Sequence, residues 1–327
     1  MAESGSVQPQ SNSPTFVSLG MVVLDEIRSP SMETLYDVPG GSGLYGYDFP
    51  ESVVETLRAW ELALQVKRLP DKPSTRGLLQ YKDENFGLKE FQYVAPPLQP
   101  WPSDLETSTL LNAQSFHFLA APENLVKHAT SLSSLRKDRE LQGQHLIVWE
   151  PAPLSCKKEH LESHLQACCF VDIFSPNHLE LQALAHGKSE NLLSFSKELI
   201  QEYAQVFLNA GIGREGRGAI VVRCGEHGCL TMTKDDALWL PSFYAAASSK
   251  IVDTTGAGNA FLGGLTIGLQ TIGDLREATV LGTVAASFAL EQIGLPQHVA
   301  TSDPSSETWN GSTVASRIAE FKVRVHI

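Results

Sequence analysis

Short, almost wholly apolar runs alternate in this chain with longer stretches whose apolar residues return every three or four positions. The runs at 16–25, 115–121, 145–150, 170–175 and 219–224 predict strands buried on both faces. The stretches at 123–137, 160–169, 179–186, 192–208 and 275–293 predict helices, the last of them stopped by Gly294 and Pro296. Alternation of this kind marks parallel strands joined by crossover helices, so the expected fold class is α/β with a doubly wound, mostly parallel sheet. Ligands of such sheets sit beyond the carboxyl ends of the strands. Two segments depart from the alternation. Residues 1–14, rich in Ser, Gln and Pro, predict a disordered leader ahead of an α/β domain over 15–327. Residues 63–96 read as strands joined by the polar turns 72–76 and 83–87.

Composition narrows the function classes. With 42% hydrophobic and 19% charged residues over 327 positions, the chain has the make-up of a globular enzyme. A net charge of -12 without clustered Lys and Arg argues against sequence-independent nucleic-acid binding, so small molecules are the expected partners. No apolar run reaches the roughly 18 residues of a membrane helix. The leader also lacks an apolar signal core, and a cytoplasmic location without membrane association is expected. Five cysteines, an odd number at irregular spacing, predict reduced thiols. His160, His164 and Cys168 share a helix face but are read as part of a surface helix rather than as zinc ligands, and Cys224, His227 and Cys229 are discounted as ligands because they lie on a strand and its turn. Asn310-Gly311-Ser312 is read as a turn.

The best-marked chemistry is the run Asp253-Thr254-Thr255-Gly256-Ala257-Gly258-Asn259, a strand end and glycine turn ahead of an apolar helix. Gly256 and Gly258 let backbone N–H groups converge on one concavity, where the positive end of the helix adds its partial charge, and a phosphate fits there. Asn177 and Glu180 stand three positions apart at a strand-to-helix junction. They can hold a hydrated Mg²⁺ in the crevice, or they can form an N-cap with a capping-box Glu. Asp25 ends the first predicted strand, where a carboxylate can accept hydrogen bonds from two hydroxyls or lie in a solvated turn, and Gly40-Gly41 allow close backbone approach to the same ligand.

The glycine run resembles the second signature of the PfkB family of ribokinase-like sugar and nucleoside kinases, agreeing at every fixed position but one. The stretch containing Asn177 and Glu180 resembles the family's Asn-x-x-Glu segment, and 220–229 resembles its Gly-x-x-Gly turn, in the family's order along the chain. The resemblance implies ATP and Mg as cofactors. It implies that Gly256, Ala257 and Gly258 form the anion hole, with Asn259 in the catalytic position and Thr254 and Thr255 beside the nucleotide. By the same likeness Glu180 holds Mg through water, Asn177 orders the phosphates, and Arg223, Gly225 and Gly228 line the nucleotide site. Asp25, Gly40, Gly41 and Asp253 are then the acceptor-binding residues, residues 63–96 form a small β lid, and 275–293 close the nucleotide pocket. Thr75 and Arg76 either touch substrate or lie in a solvated turn, and Glu150 either approaches the phosphates or forms an ion pair with a neighbouring helix.

The chain departs from the family pattern twice. Asn259 replaces the catalytic Asp, and an amide cannot accept the acceptor's proton. Six residues separate Gly41 from Asp48, too few for the helix and strand that relatives carry there, and Tyr45 replaces an Asn. Within the family the resemblance is to fungal maintenance-of-killer type proteins. Two functions are therefore expected as alternatives. One is a phosphotransferase acting on a hydroxyl of a sugar-like or other small metabolite; the other is a pseudokinase that binds nucleotide and works through partners, as a monomer or homodimer.

Overall fold

In the computed structural model the apolar runs form the middle layer of the molecule; residues 16–19, 22–29, 32–41, 45–46, 48–59, 68–81, 89–187 and 195–326 are described. The amino-terminal elements are β1 (Phe16–Ser18), β2 (Val22–Ser29), β3 (Met32–Gly41), β4 (Tyr45–Gly46), α1 (Glu51–Ala59), β5 (Arg68–Leu69), β6 (Arg76–Tyr81) and β7 (Lys89–Tyr93). Then follow β8 (Ser115–Ala120), α2 (Pro122–Asp138), β9 (Leu146–Pro151), α3 (Leu161–Ala167), β10 (Ile173–Phe174), α4 (His178–His186) and α5 (Lys197–Ala210). The last part holds β11 (Ala219–Arg223), β12 (Cys229–Met232), β13 (Ala237–Leu240), α6 (Ala257–Thr271), α7 (Leu275–Ala289), β14 (His298–Val299), β15 (Thr308–Trp309) and α8 (Val314–Val325).

Seven strands make the main sheet in the order β1-β8-β9-β10-β11-β12-β13. The pairs from β1 to β11 are parallel, and β12 and β13 close the edge as antiparallel hairpins. Side chains alternate across the sheet, which explains why its strands contain hardly a polar residue. Trp149, Phe174 and Val222 point into a core with Leu132 of α2, Leu181 of α4 and Phe207 of α5. Their neighbours Val148, Ile173 and Val221 point the other way, against Phe261 and Leu265 of α6, Val284 of α7 and Phe321 of α8. The sheet is thus helix-covered on both faces, a doubly wound α/β fold.

The run at 16–25 is not one strand. β1 stops at Ser18 and Leu19 donates its N–H to the His117 carbonyl, whereas β2 belongs to a second, four-stranded sheet of order β3-β2-β6-β7. That sheet takes two strands from 22–41 and only two from the 63–96 stretch. An unbroken apolar run carries no mark of where the chain leaves one sheet for another, because both sheets ask for the same alternation. Among the described residues the first helix after β3 is α1, which starts at Glu51, and β4 pairs with β5 in a small parallel ladder apart from the main sheet.

The remaining loose motifs become structural. His164 stacks on Trp149 at 5.5 Å, its Nδ1 lies 2.8 Å from the His160 carbonyl and its Nε2 3.3 Å from Ser155 Oγ. The described residues contain no group of three side chains suited to a metal. Asn310 adopts φ 48° in a turn, and its amide donates to the Phe288 carbonyl, Glu291 Oε2 and Gln292 Oε1. All five cysteines are unpaired. None of the described helices is long and apolar enough to cross a membrane.

Buried histidines make the fold sensitive to acid. His128 is sealed between Trp101 and Phe118, with neither ring nitrogen hydrogen-bonded, and burial pushes it down to about 4. His145 is pushed to the same range by burial and by Arg136 and Arg214. In the unfolded chain these rings take up protons near pH 6.5, so between about 6.5 and 4 the unfolded state binds more protons and stability falls with pH. A His128→Leu variant is expected to lose several degrees less in melting temperature than the native chain between pH 6.5 and 4.5, as followed by circular dichroism.

Candidate phosphate and nucleotide site

The carboxyl ends of β9, β10 and β11 lie near the amino end of α6, and the buried polar residues Glu150, Ser175, Glu180 and Asp253 belong to this region. Asp253 shapes the loop. It is 1% exposed, and its Oδ1 accepts from the Thr255 N–H and the Thr255 hydroxyl, both at 2.9 Å, and from the Tyr81 hydroxyl. A carboxylate oxygen so engaged holds the turn shut. Gly256 caps α6 in the left-handed region, φ 82° and ψ −17°, a conformation that glycine adopts without steric cost. Ala257 opens the helix. The N–H groups of Gly256, Gly258 and Asn259 have no partner among the described residues, so three donors face outward at a helix amino end. Asn259 is the third residue of the helix, with its side chain exposed, and Thr254 is exposed beside it.

Arg223, the last residue of β11, lies against this turn. A Cβ built on Gly258 would stand 2.6 Å from its Nη1. The guanidinium is anchored by Glu150 of β9 at 2.8 Å and by the Ser175 carbonyl at 3.0 Å, while Glu180 is 3.8 Å away. Glu150 is in turn 3.3 Å from His117 of β8, whose other nitrogen is 3.1 Å from Ser18 Oγ. The ion pair of Glu150 is with a strand residue, Arg223 of β11, and not with a neighbouring helix. Burial pushes the Glu150 carboxyl up, but Arg223 and His117 outweigh it and hold the group at about 2. Burial pushes the Glu180 carboxyl up to about 7, outweighing the distant guanidinium and the hydrogen bond from the Asn177 N–H.

Asn177 and Glu180 form the reciprocal cap of α4: Asn177 Oδ1 accepts from the Glu180 N–H at 2.8 Å, and Glu180 Oε2 accepts from the Asn177 N–H at 2.7 Å. Each side chain has one oxygen committed to the cap. The pair therefore suits a hydrated Mg²⁺ carried in on phosphates, with Glu180 Oε1 accepting from its water, better than a metal held by protein alone. Gly225 and Gly228, at φ 55° and 88°, turn β11 back into β12, and His227 of that turn stacks on Phe195 at 3.7 Å.

Of the expected acceptor residues, Asp25, Gly40 and Gly41 lie in the four-stranded sheet and not at the end of β1, while Asp253 lies in the loop ahead of α6. Asp25 stands inside β2, in register with Val38 and Gly77, and its side chain lies outside the described residues. Gly40 and Gly41 end β3, paired with Val23 and Val22. Of the expected segment 47–51, Tyr47 lies outside the described residues. Thr75 and Arg76 are not in a solvated turn. Thr75 is fully buried with its Oγ1 accepting from the Leu98 N–H at 2.7 Å, and Arg76 pairs with Asp48 at 3.1 Å. The two sheets touch through Tyr81, the last residue of β6, whose hydroxyl reaches Asp253 and lies 3.2 Å from Thr255 Oγ1. Neither Tyr81 nor His117 is marked in the sequence, where each reads as one more residue of a strand. A cavity of about 750 Å³ lined by Arg136, His145, Asp172 and Arg214 lies at the opposite, amino end of the strands and shares no residue with this site.

The sequence profile of the pfkB family carbohydrate kinases matches residues 102–300. An uncharacterized protein of Schizosaccharomyces pombe is 31% identical over 94% of this chain and 92% of its own length. Protein MAK32 of Saccharomyces cerevisiae is 24% identical over 92% of this chain and 90% of its own. Among solved structures the chain is similar to the nucleoside kinase of Methanocaldococcus jannaschii, an archaeal member of the ribokinase family, with a TM-score of 0.59, 17% identity, and 94% of this chain and 99% of that one covered. At that identity the likeness shows the fold, which is ribokinase-like.

Proposed function

Because this chain belongs to the pfkB family of carbohydrate kinases, we propose that it transfers a phosphoryl group from ATP to a hydroxyl of a sugar-like or other small metabolite. The observation that carries this reading is the amino end of α6, where the N–H groups of Gly256, Gly258 and Asn259 face outward without a partner among the described residues, beside the guanidinium of Arg223. Oriented donors of this kind stabilise charge on a transferring phosphoryl group with little reorganisation. In this reading Gly225 and Gly228 border the nucleotide, Thr254 and Thr255 flank its phosphates, Asn177 orders the phosphates, and Glu180 would face the waters of a Mg²⁺ ion. The metal, when bound, neutralises phosphate charge. Asp25, Gly40 and Gly41 hold the acceptor from the four-stranded sheet, and Asp253 supports the loop from behind. The protein works in the cytosol, as a monomer or homodimer.

One observation favours a second reading, nucleotide binding without turnover: Asn259 has no basic atom with which to take the acceptor's proton. Calorimetric titration of the full chain with Mg·ATP, followed by an ADP-release assay over a panel of sugars, polyols and nucleosides, separates the two. Binding with ADP release on one acceptor is the expected outcome. Binding without release on any acceptor supports the second reading, and absence of nucleotide binding overturns both.

A further inference from the structure

Arg136 of α2 is 6% exposed and has no carboxylate partner among the described residues, although a buried charge is ordinarily paired. Its Nη1 donates to the Leu111 and Ala113 carbonyls at 2.6 Å and 2.9 Å, and the guanidinium lies 5.7 Å from the centre of the Phe116 ring. These contacts are neutral and use one nitrogen of the fork. Arg136 lines the cavity of about 750 Å³ at the amino ends of the strands, together with Lys137, His145 and Arg214. The His145 ring stands edge-on to the same Phe116 at 5.7 Å and has no hydrogen-bond partner among the described residues. Burial, with the charges of Arg136 and Arg214 added, holds it at about 4, so both guanidiniums act on this part of the cavity.

Two carboxylates, Glu140 and Asp172, line the same cavity, and neither forms an ion pair with any of the three cations. Asp172 Oδ2 accepts from the Ile147 N–H at 2.7 Å, and Glu140 is exposed to solvent. Three cations against two carboxylates leave a positive excess in a chain whose net charge is -12, and the Arg136 guanidinium is the part of it that water screens least. A guanidinium fork matches the planar spacing of carboxylate and phosphate oxygens. The volume suits a metabolite and not merely an ion. We propose that this cavity binds a small hydroxyl-bearing metabolite through its phosphate or carboxylate group, with Arg136 and Arg214 on the anion and Asp172 Oδ1 and Ser133 on the hydroxyls. The site shares no residue with the amino end of α6 and stands independently of the function proposed above.

The test is nuclear magnetic resonance of the histidine rings in the full chain at neutral pH and low salt, with the His145 signal identified by its loss in His145→Gln. Inorganic phosphate, ribose 5-phosphate and citrate are added in turn. A saturable shift of the His145 signal with ribose 5-phosphate or with citrate is expected, the first assigning a phosphate ester and the second a carboxylate. Replacing Arg136 would deprive the Leu111 and Ala113 carbonyls of their donor, so the variant is Arg214→Gln, whose exposed side chain has no hydrogen bond or ion pair to lose among the described residues. Loss of one charge-assisted contact should weaken the bound probe by about five- to tenfold. A His145 signal that none of the three probes moves overturns the inference, and so does equal affinity in the native and Arg214→Gln chains. A shift with inorganic phosphate alone marks a bare anion site and overturns the metabolite assignment.

Discussion

Asn259→Asp raises the rate of phosphoryl transfer to the acceptor by about 10² to 10⁴, the usual contribution of a positioned general base. The side chain stands exposed on the first turn of α6, two positions beyond Ala257, next to the outward N–H groups, so a carboxylate there reaches an acceptor hydroxyl if one is bound. Structural cost is not an obstacle. A negative charge in the first turn of a helix is stabilised by the helix dipole, by about 0.3 to 1 kcal/mol, so the variant should melt no lower than the native chain. The check is single-turnover ADP formation with native and variant protein on the same acceptor panel. A rise of this size identifies the missing base as the limiting defect. An unchanged rate with intact nucleotide binding places the defect in the acceptor half, where six residues separate Gly41 from Asp48.

Gly228→Ala lowers the melting temperature by about 10 °C, whereas Gly225→Ala in the same turn costs far less. At Gly228, φ is +88°, and a Cβ would stand 2.0 Å from the Leu240 carbonyl oxygen and 2.7 Å from the Pro241 carbonyl carbon. Both obstacles are backbone, so no rotamer change relieves them and β12 or the β13 end must move. Strain of this kind together with overpacking amounts to about 3 to 5 kcal/mol. Gly225 has φ +55° and open space where the Cβ would go, leaving only the left-handed penalty of about 1 kcal/mol. Differential scanning calorimetry of the two variants checks the contrast, and equal losses would mean that the turn is not held against β13 as described.

The parts of this protein that could be read in advance are those written in consecutive residues. The helices at Pro122–Asp138, His178–His186 and Leu275–Ala289 follow from three- and four-residue spacing, and their ends differ from the expectation by a few residues. The turn at Gly256 ahead of α6 is carried by seven adjacent residues, and the Asn177–Glu180 cap by a four-residue span, where one hydrogen-bond pattern serves both a helix start and a phosphate crevice. The stretch at 160–169 was harder: it breaks into a short helix, Leu161–Ala167, between tight turns, because its histidines turn inward to Trp149 and Ser155.

Periodicity determined the doubly wound sheet, and runs of adjacent residues determined the glycine turn ahead of α6 and the family likeness, since each depends on neighbours along the chain. The tertiary structure alone decided which sheet each strand joins and what faces the loop. The break between β1 and β2, the seal of Tyr81 on Asp253 across 172 positions, and the clamp of Glu150 on Arg223 beside Gly258 join residues far apart in sequence. Such contacts leave no periodic trace. A buried Tyr and a buried Arg look like any other strand residue until two sheets and a helix end pack together and withdraw them from water, and only then do hydrogen bonds and charge, no longer screened, acquire the strength to define a site.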